Sequence, residues 1–292
     1  MITLFLNVML NACYIFGLWF FPALGITGVA YATVISRLVS LCICVIDAKW
    51  KGHEVRVRIR YLWARKKELF RDYIKYTLPA LGNDFSWGIG FSMYSVILGH
   101  ISSDIVAANS YAGVVRSLST VICFAIANAA GVMLGKTLGQ NKLDTARIYG
   151  RRFLTLSIVF GVLGGICIAI AAPYILQYVA TVDMTKEALD LLRFMLIIST
   201  VNVVGQSVNT MLICGVFRAG GDTKFGFILD TVTMWGYGVA IGMLLAFVFK
   251  VPPKIVYLYL FMDEIVKMPA NFIRYRKKLW VHNITRDMKV LT

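Results

Sequence analysis

The 292 residues of this chain are 59% hydrophobic and only 15% charged, and the mean hydropathy is +0.72. Soluble globular domains carry much more charge, so this composition excludes a water-soluble fold. The formal net charge of +15 would suit a nucleic-acid-binding protein if the basic residues formed one face of a soluble domain. Here they lie between apolar runs, which indicates membrane topology and contact with the lipid bilayer, with no nucleic-acid partner.

Eight apolar runs are long enough to cross a membrane, which takes about 20 mostly apolar residues per helix. They cover residues 2–21, 27–46, 73–99, 105–135, 152–175, 188–216, 225–249 and 255–273. The sequence therefore predicts an all-α membrane protein, a polytopic helical bundle with eight transmembrane helices.

The loops between these runs alternate strictly in basic charge. The loops on one side hold 23 Lys and Arg residues, whereas those on the other side hold 3. Because short cytoplasmic loops collect Lys and Arg, both termini are expected in the cytoplasm. We expect a multi-pass protein of the cell membrane, the plasma membrane of a bacterium.

The start of the chain lacks a basic flank, since residues 1–36 carry no charge, and such a flank normally orients a first helix or a signal peptide. Arg37 precedes Trp50 by thirteen residues, and Lys267 precedes Trp280 by the same thirteen, which suggests two related hairpins. We therefore expect four N-lobe helices from a longer chain, and no transport by this chain alone.

Four segments follow from this division. They are the last two helices of an incomplete N-lobe (1–46), a basic cytoplasmic inter-lobe loop (47–72), a six-helix C-lobe (73–278) and a basic cytoplasmic tail (279–292).

Asp84 is the first candidate for a functional site, because an ionisable group deep in a membrane is costly and needs a partner or a role. It lies nine residues beyond Lys75, about 14 Å along a helix and thus near mid-membrane. Arg116 reaches a similar depth in the next span. Asp84 either pairs with Arg116 as a structural carboxylate or binds a proton or Na⁺ that drives transport, and the sequence leaves both open.

A second group of charges lies in the last span. Asp263 and Glu264 are spaced i,i+4 and i,i+3 from Lys267, so all three share one helix face. One acid is in excess, which makes the group a candidate for cation or proton coupling. Asp230 is a further candidate, or else a partner for a basic loop residue.

Polar residues in the predicted spans are expected to face the bundle interior. Asn83, Gln206 and Asn209 are candidates for a polar pathway, and Arg37, Arg116 and Lys267 are the cationic partners available to it. Pro79 and Pro269 are expected to kink their helices. The six cysteines lie in apolar runs without ligand spacing, and catalytic motifs such as HExxH and GxSxG are missing, so we predict neither an enzyme, a metal site nor a cofactor.

Several stretches resemble the multidrug and toxic compound extrusion (MATE) family. They are LNVMLNACYIFGLWFFPALGITGVAYATVISRLV at 6–39, LPALGNDFSWGIGFSMY at 78–94, AANSYAGVV at 107–115, NAAGVMLGKTLGQNKLDTAR at 128–147, GVFRAGGDTKF at 215–225 and RYRKKLWVHNIT at 274–285. The likeness runs through nearly the whole chain, in the family's order of motifs.

The resemblance implies a fold of twelve helices in two six-helix lobes, of which this chain matches helices five to twelve. It implies a secondary antiporter that exports cationic or amphipathic small molecules in exchange for Na⁺ or H⁺. Asp84 falls where members often place an acid in helix seven, whereas Asn11 stands where some members carry the Asp of an LNxxLD pattern. The glycines of the GGDTK turn, Gly220 and Gly221, are expected to permit a tight connection.

Two alternatives remain open from the sequence. A lipid-linked oligosaccharide flippase of the same superfamily would suit a cationic cavity containing Arg37, Arg116 and Lys267. An inactive, truncated membrane protein would have no transport cycle.

Overall fold

The computed structural model describes residues 2–18, 22–50, 67–181 and 184–283, and every regular element within them is a helix. In chain order the helices are α1 (Ile2–Phe16), α2 (Gly25–Trp50), α3 (Lys67–Ile101), α4 (Ser103–Gly139), α5 (Leu143–Ala180), α6 (Lys186–Phe217), α7 (Thr223–Val248), α8 (Pro253–Phe261) and α9 (Asp263–Arg276). Because α8 and α9 are two halves of one interrupted rod, these helices form eight rods. The predicted all-α bundle is confirmed.

Five of the described helices, α2 and α4 to α7, are long and apolar enough to cross a membrane by themselves. Helix α4 has 37 residues, about 55 Å at 1.5 Å per residue, so it extends beyond a hydrocarbon core of about 30 Å. Large apolar side chains such as Phe85, Leu118 and Ile170 are exposed on the bundle surface. Lipid tails are the medium in which such a surface is stable, so the chain is a multi-pass membrane protein.

The chain divides into two compact units, Met1–Phe70 and Arg71–Thr292. The predicted inter-lobe loop and the end of the predicted tail fall largely on residues 51–66 and 284–292, outside the described residues. The predicted domain limits therefore stay predictions, although α3 begins at Lys67 and so extends into the segment predicted as loop.

The first unit contains the α1–α2 hairpin. Asn7 donates from Nδ2 to the Ser36 hydroxyl over 3.0 Å, which ties the two helices together by a polar contact. Gly28 permits their close approach, because a Cβ there would lie 2.6 Å from the Cβ of Tyr14. Arg37 lies exposed on α2.

In the second unit, α6 is the central helix and packs against α4, α5 and α9. It meets α5 through small side chains: the hydroxyls of Ser157 and Ser207 each donate to the other's backbone carbonyl, over 2.7 and 2.8 Å. Gly161 and Gly165 continue this contact along α5. Small residues with reciprocal hydrogen bonds are the usual means of close helix packing in a membrane.

The turn between α6 and α7 is fixed by contacts with the end of the chain. Gly221 has a φ of +74°, and a Cβ on Gly220 would lie 2.2 Å from the carbonyl oxygen of Trp280, so the turn requires both predicted glycines. Asp222 accepts two hydrogen bonds from the Arg274 guanidinium, at 2.7 and 2.9 Å. This hydrogen-bonded carboxylate raises the pKa of Arg274.

Candidate functional site

The second unit contains a buried cluster of four ionisable side chains. The ammonium Nζ of Lys267 lies 2.9 Å from Glu264 Oε1, 3.1 Å from Asp230 Oδ1 and 3.6 Å from Asp263 Oδ2. All four residues are buried. Three come from the first two turns of α9, as the i,i+3 and i,i+4 spacing predicts, and Asp230 joins from α7. We call these four residues the charge cluster.

The sequence left two roles open for Asp230. The alternative that it serves a basic loop residue is wrong, because its partner is Lys267 on the last helix. From Val232 onward, α7 winds in wide π-helical turns, a form that often occurs near functional sites.

The interruption of the last rod at Met262 places polar backbone beside the cluster. The amide nitrogens of Ile265 and Val266 both donate to the Met262 carbonyl, which leaves the Phe261 carbonyl without its usual helical donor. The side-chain amide of Asn202 on α6 donates to it instead. We expected a kink at Pro269, but that residue lies inside α9 and the break comes seven residues earlier.

Two asparagine side chains form a chain of hydrogen bonds that leads to Glu264. Asn209 donates from Nδ2 to Glu264 Oε2 over 2.8 Å and to the Glu264 carbonyl over 2.6 Å. Asn271 donates in turn to Asn209 Oδ1 over 2.8 Å. These bonds hold the Glu264 carboxylate firmly. The second carboxyl oxygen of Asp230, in contrast, is buried and accepts no hydrogen bond from any described residue.

The charges of the cluster do not balance. Three carboxyl groups face one ammonium, so full ionisation would leave two uncompensated negative charges in a buried site. An unpaired buried charge costs roughly several kcal/mol in a protein interior. Ionisable side chains buried inside a membrane-spanning bundle usually mark a functional site. The arrangement is therefore suited to holding a proton or taking up a small cation.

Asp84 lies apart from this cluster. The Asp84 carboxylate forms a 2.5 Å ion pair with Arg218, which directly follows α6. The Asp84 side chain is 60% exposed. Arg116 donates to the Tyr257 hydroxyl over 3.2 Å and lies 4.3 Å from the centroid of the Phe261 ring. The alternative that Asp84 pairs with Arg116 is therefore wrong, because its partner is Arg218. The other alternative, a coupling role for Asp84, stays a prediction.

A cavity of about 720 Å³ lies between α3, α4, α6 and α8, a size typical of small-molecule sites. Its walls are aromatic in large part, with edge-to-face contacts from Trp87 to Phe91 and from Trp87 to Phe124. Gln206 and Arg116 also line it.

Two residues belong to both the cavity and the surroundings of the cluster. The Trp87 ring lines the cavity and lies 5.8 Å from Lys267 Nζ, and Phe261 lines the cavity immediately before the helix break. These two residues therefore lie between the charge cluster and the cavity.

The remaining predicted residues are placed as follows. Gln206 accepts a hydrogen bond from the Thr120 hydroxyl over 3.4 Å, and Asn209 belongs to the shell around Glu264. Asn83 is buried, and its Oδ1 has no hydrogen-bond partner in the part of the chain that the structure describes. Arg37 lies in the first unit.

The family model described as MatE matches residues 80–244, which is more than half of the chain. The chain belongs to the MatE family. The matched region includes Asp84, Arg116, Asn209 and Asp230, while the three cluster residues of α9 lie beyond it.

Curated MatE-type relatives resemble nearly the whole chain. The uncharacterized transporter YisQ of Bacillus subtilis is 22% identical over 94% of this chain and 60% of its own length. The multidrug and toxin extrusion protein 2 of Mus musculus is 27% identical over 84% of this chain and 41% of its own length. The chain thus spans about 60% or less of these two relatives.

Solved MATE structures share the fold. A MATE transporter of Vibrio cholerae, VcmN, superposes with a TM-score of 0.80 at 17% identity, over 97% of this chain and 62% of that one. An outward-facing multidrug resistance MATE transporter of the MOP superfamily gives 0.77 at 19% identity, over 95% and 60%. The predicted family and fold are confirmed.

Two residues near the charge cluster and the cavity were not predicted from the sequence. Asn271 lies four residues after Lys267, on the same face of α9, so the helical spacing alone could have indicated it. Tyr257, the hydrogen-bond partner of Arg116, carries no comparable signal, because the two residues are 141 positions apart.

Proposed function

We propose that this protein works as a secondary antiporter that exports cationic or amphipathic small molecules, and that a proton held in the charge cluster is the exchanged ion. One observation carries the proposal: three buried carboxyl groups surround a single ammonium directly beside a drug-sized cavity. The MATE relatives support the transport class.

A proton suits the cluster better than Na⁺ because Lys267 already occupies the position a cation would take. Its Nζ lies within 3.6 Å of a carboxylate oxygen from each of the three acids. A sodium ion between the same oxygens would lie against this ammonium, and like charges at such a distance repel strongly where water is scarce. A proton on a carboxylate adds no second cation and removes one excess negative charge.

Coupling would run through the interrupted rod. When a carboxyl group of the cluster gains or loses its proton, the attraction on Lys267 changes, and the first turn of α9 carries that change to the break at Met262. Phe261 lies on the other side of the break, against both Arg116 and the cavity. Interrupted helices beside a substrate site are a common feature of secondary transporters. Proton and ligand are exchanged for one another when the protonated and deprotonated states of the cluster differ in their affinity for the ligand.

The proposal includes the orientation and cellular setting expected from the sequence. The basic loops lie in the cytoplasm of a bacterium and the bundle crosses its plasma membrane. N-lobe helices beyond the two of residues 1–46 are the expected partners of the described bundle in alternating access.

The test uses the intact transporter in liposomes, loaded with ethidium or 2-naphthoate and given either a pH gradient or a Na⁺ gradient. Export should follow the pH gradient and ignore Na⁺. Asp230→Asn should abolish this coupling, because one Asp230 carboxyl oxygen is buried without a hydrogen-bond donor among the described residues, and the amide keeps the shape but cannot exchange a proton. Asp84→Asn is the comparison at the other predicted coupling site, and we expect it to keep coupling, since Asp84 pairs with Arg218 at an exposed position.

Two results would overturn the proposal. Export driven by Na⁺ alone would exclude the proton as the exchanged ion. Full coupling in Asp230→Asn together with its loss in Asp84→Asn would move the coupling site to α3.

A further inference from the structure

Arg116 is the one charged side chain among the described residues that line the cavity. The remaining lining consists of aromatic, small apolar, hydroxyl and amide side chains. The carboxylates of the charge cluster are not part of the wall. The cavity therefore presents a positive charge to whatever enters it.

Arg116 has no acidic partner among the described residues, unlike three other cations of this bundle. Arg218 pairs with Asp84, Arg274 with Asp222, and Lys267 with three acids. The two contacts of Arg116 are with neutral groups, the Tyr257 hydroxyl and the Phe261 ring.

These two contacts hold the guanidinium in place and leave its charge uncompensated. The hydrogen bond to Tyr257 uses one of five N–H donors, and a ring covers one face of the planar group. Arginine held in this way is the side chain best suited to bind a carboxylate through two parallel hydrogen bonds.

We infer that the cavity binds amphipathic aromatic compounds that carry an acidic group, with the anion on Arg116 and the ring system against Trp87, Phe91 and Phe124. The inference rests on the proposed export function and narrows its substrate class. A cationic compound in the same cavity would meet the guanidinium with no wall carboxylate to compensate it. Thr120 and Gln206, which are hydrogen-bonded to each other, also line the cavity and would receive further polar groups of the ligand.

The volume of the cavity agrees with this class. About 720 Å³ lies within the range of roughly 300–1,000 Å³ that drug-sized ligands occupy. Edge-to-face aromatic pairs in the wall offer ring faces and edges to an aromatic ligand.

The experiment measures binding directly, by calorimetric titration of the purified intact transporter with two matched probes. 2-Naphthoate carries the ring system with an anion, and 2-naphthyltrimethylammonium carries it with a cation. We expect the anion to bind more tightly than the cation. Arg116→Gln should weaken naphthoate binding roughly 10- to 100-fold, the effect of losing a charged hydrogen bond. Arg116→Lys should weaken it less, because the charge remains.

Arg193→Gln is the matched control, since it removes the charge of an exposed arginine on α6 that does not line the cavity, and it should bind naphthoate like the unchanged protein. Tighter binding of the cation by the unchanged protein would overturn the inference, as would equal naphthoate affinity in Arg116→Gln and Arg193→Gln, or no saturable binding of either probe. Export measured in parallel separates the two proposals. Anion binding without export would refute the transport function alone, and proton-driven export of ethidium with no anion binding would refute the substrate class alone.

Discussion

Lys267→Met tests the structural importance of the charge cluster. The substitution keeps an unbranched side chain of similar length but removes the ammonium that contacts three buried carboxyl groups. Removing one partner of a buried ion pair costs about 3–5 kcal/mol, and three acids lose their partner here, so we expect the upper part of that range. At roughly 2–4 °C per kcal/mol for a chain of this size, the melting temperature should fall by about 10–20 °C.

The assay is thermal unfolding of the purified protein in detergent, followed by tryptophan fluorescence. Lys254→Met serves as the control, because Lys254 pairs with Asp190 at an exposed position and such pairs contribute about 0–1 kcal/mol. Adding Glu264→Gln to Lys267→Met should recover part of the loss by removing one unpaired acid. Equal melting temperatures for Lys267→Met and Lys254→Met would refute the view that the lysine compensates buried charge.

Three further predictions concern the fold. Gly220→Ala should lower the melting temperature and the yield of folded protein, because the new Cβ would lie 2.2 Å from the Trp280 carbonyl oxygen. Gly236→Ala is the control and should change neither, because no described atom would lie within 4 Å of its Cβ. Equal effects of the two substitutions would contradict the close approach. Asn202→Ala should destabilise the protein by about 1–3 kcal/mol, since it leaves the Phe261 carbonyl unpaired, and a chemical-denaturation curve that matches the unchanged protein would show that the break is satisfied otherwise. Reporter fusions within the α4–α5 turn and after the last residue should both report the cytoplasm, and an extracellular signal from either would reverse the orientation.

The sequence predicted contacts within one helix better than contacts between helices. Glu264 and Asp263 meet Lys267 because helical geometry alone places residues three and four positions apart on one face. Asp230 and Lys267 are 37 positions apart, and Asp84 and Arg218 are 134 apart, so each pairing depends on how the helices pack. Depth along a helix suggested Arg116 as the partner of Asp84, but depth does not determine which helix faces lie together.

The helix break shows the same limit. Pro269 lacks one backbone donor, which local sequence can indicate, and yet the rod is interrupted at Met262. There the freed Phe261 carbonyl accepts from Asn202 on another helix, so a tertiary contact stabilises the break. Glycines at the α6–α7 turn, in contrast, were predictable because the requirement for a positive φ at Gly221 is local.

The central claim is that the charge cluster exchanges a proton when the cavity takes up a ligand. Its most direct test is proton release by the purified intact transporter in weakly buffered solution. The release is recorded with a pH-sensitive dye while 2-naphthoate, the probe expected to bind more tightly, is added to saturation. We predict that ligand binding releases protons with or without Na⁺, and that Asp230→Asn binds the probe but releases none. Ligand binding without any proton release, or release that depends on Na⁺ and persists in Asp230→Asn, would contradict the account.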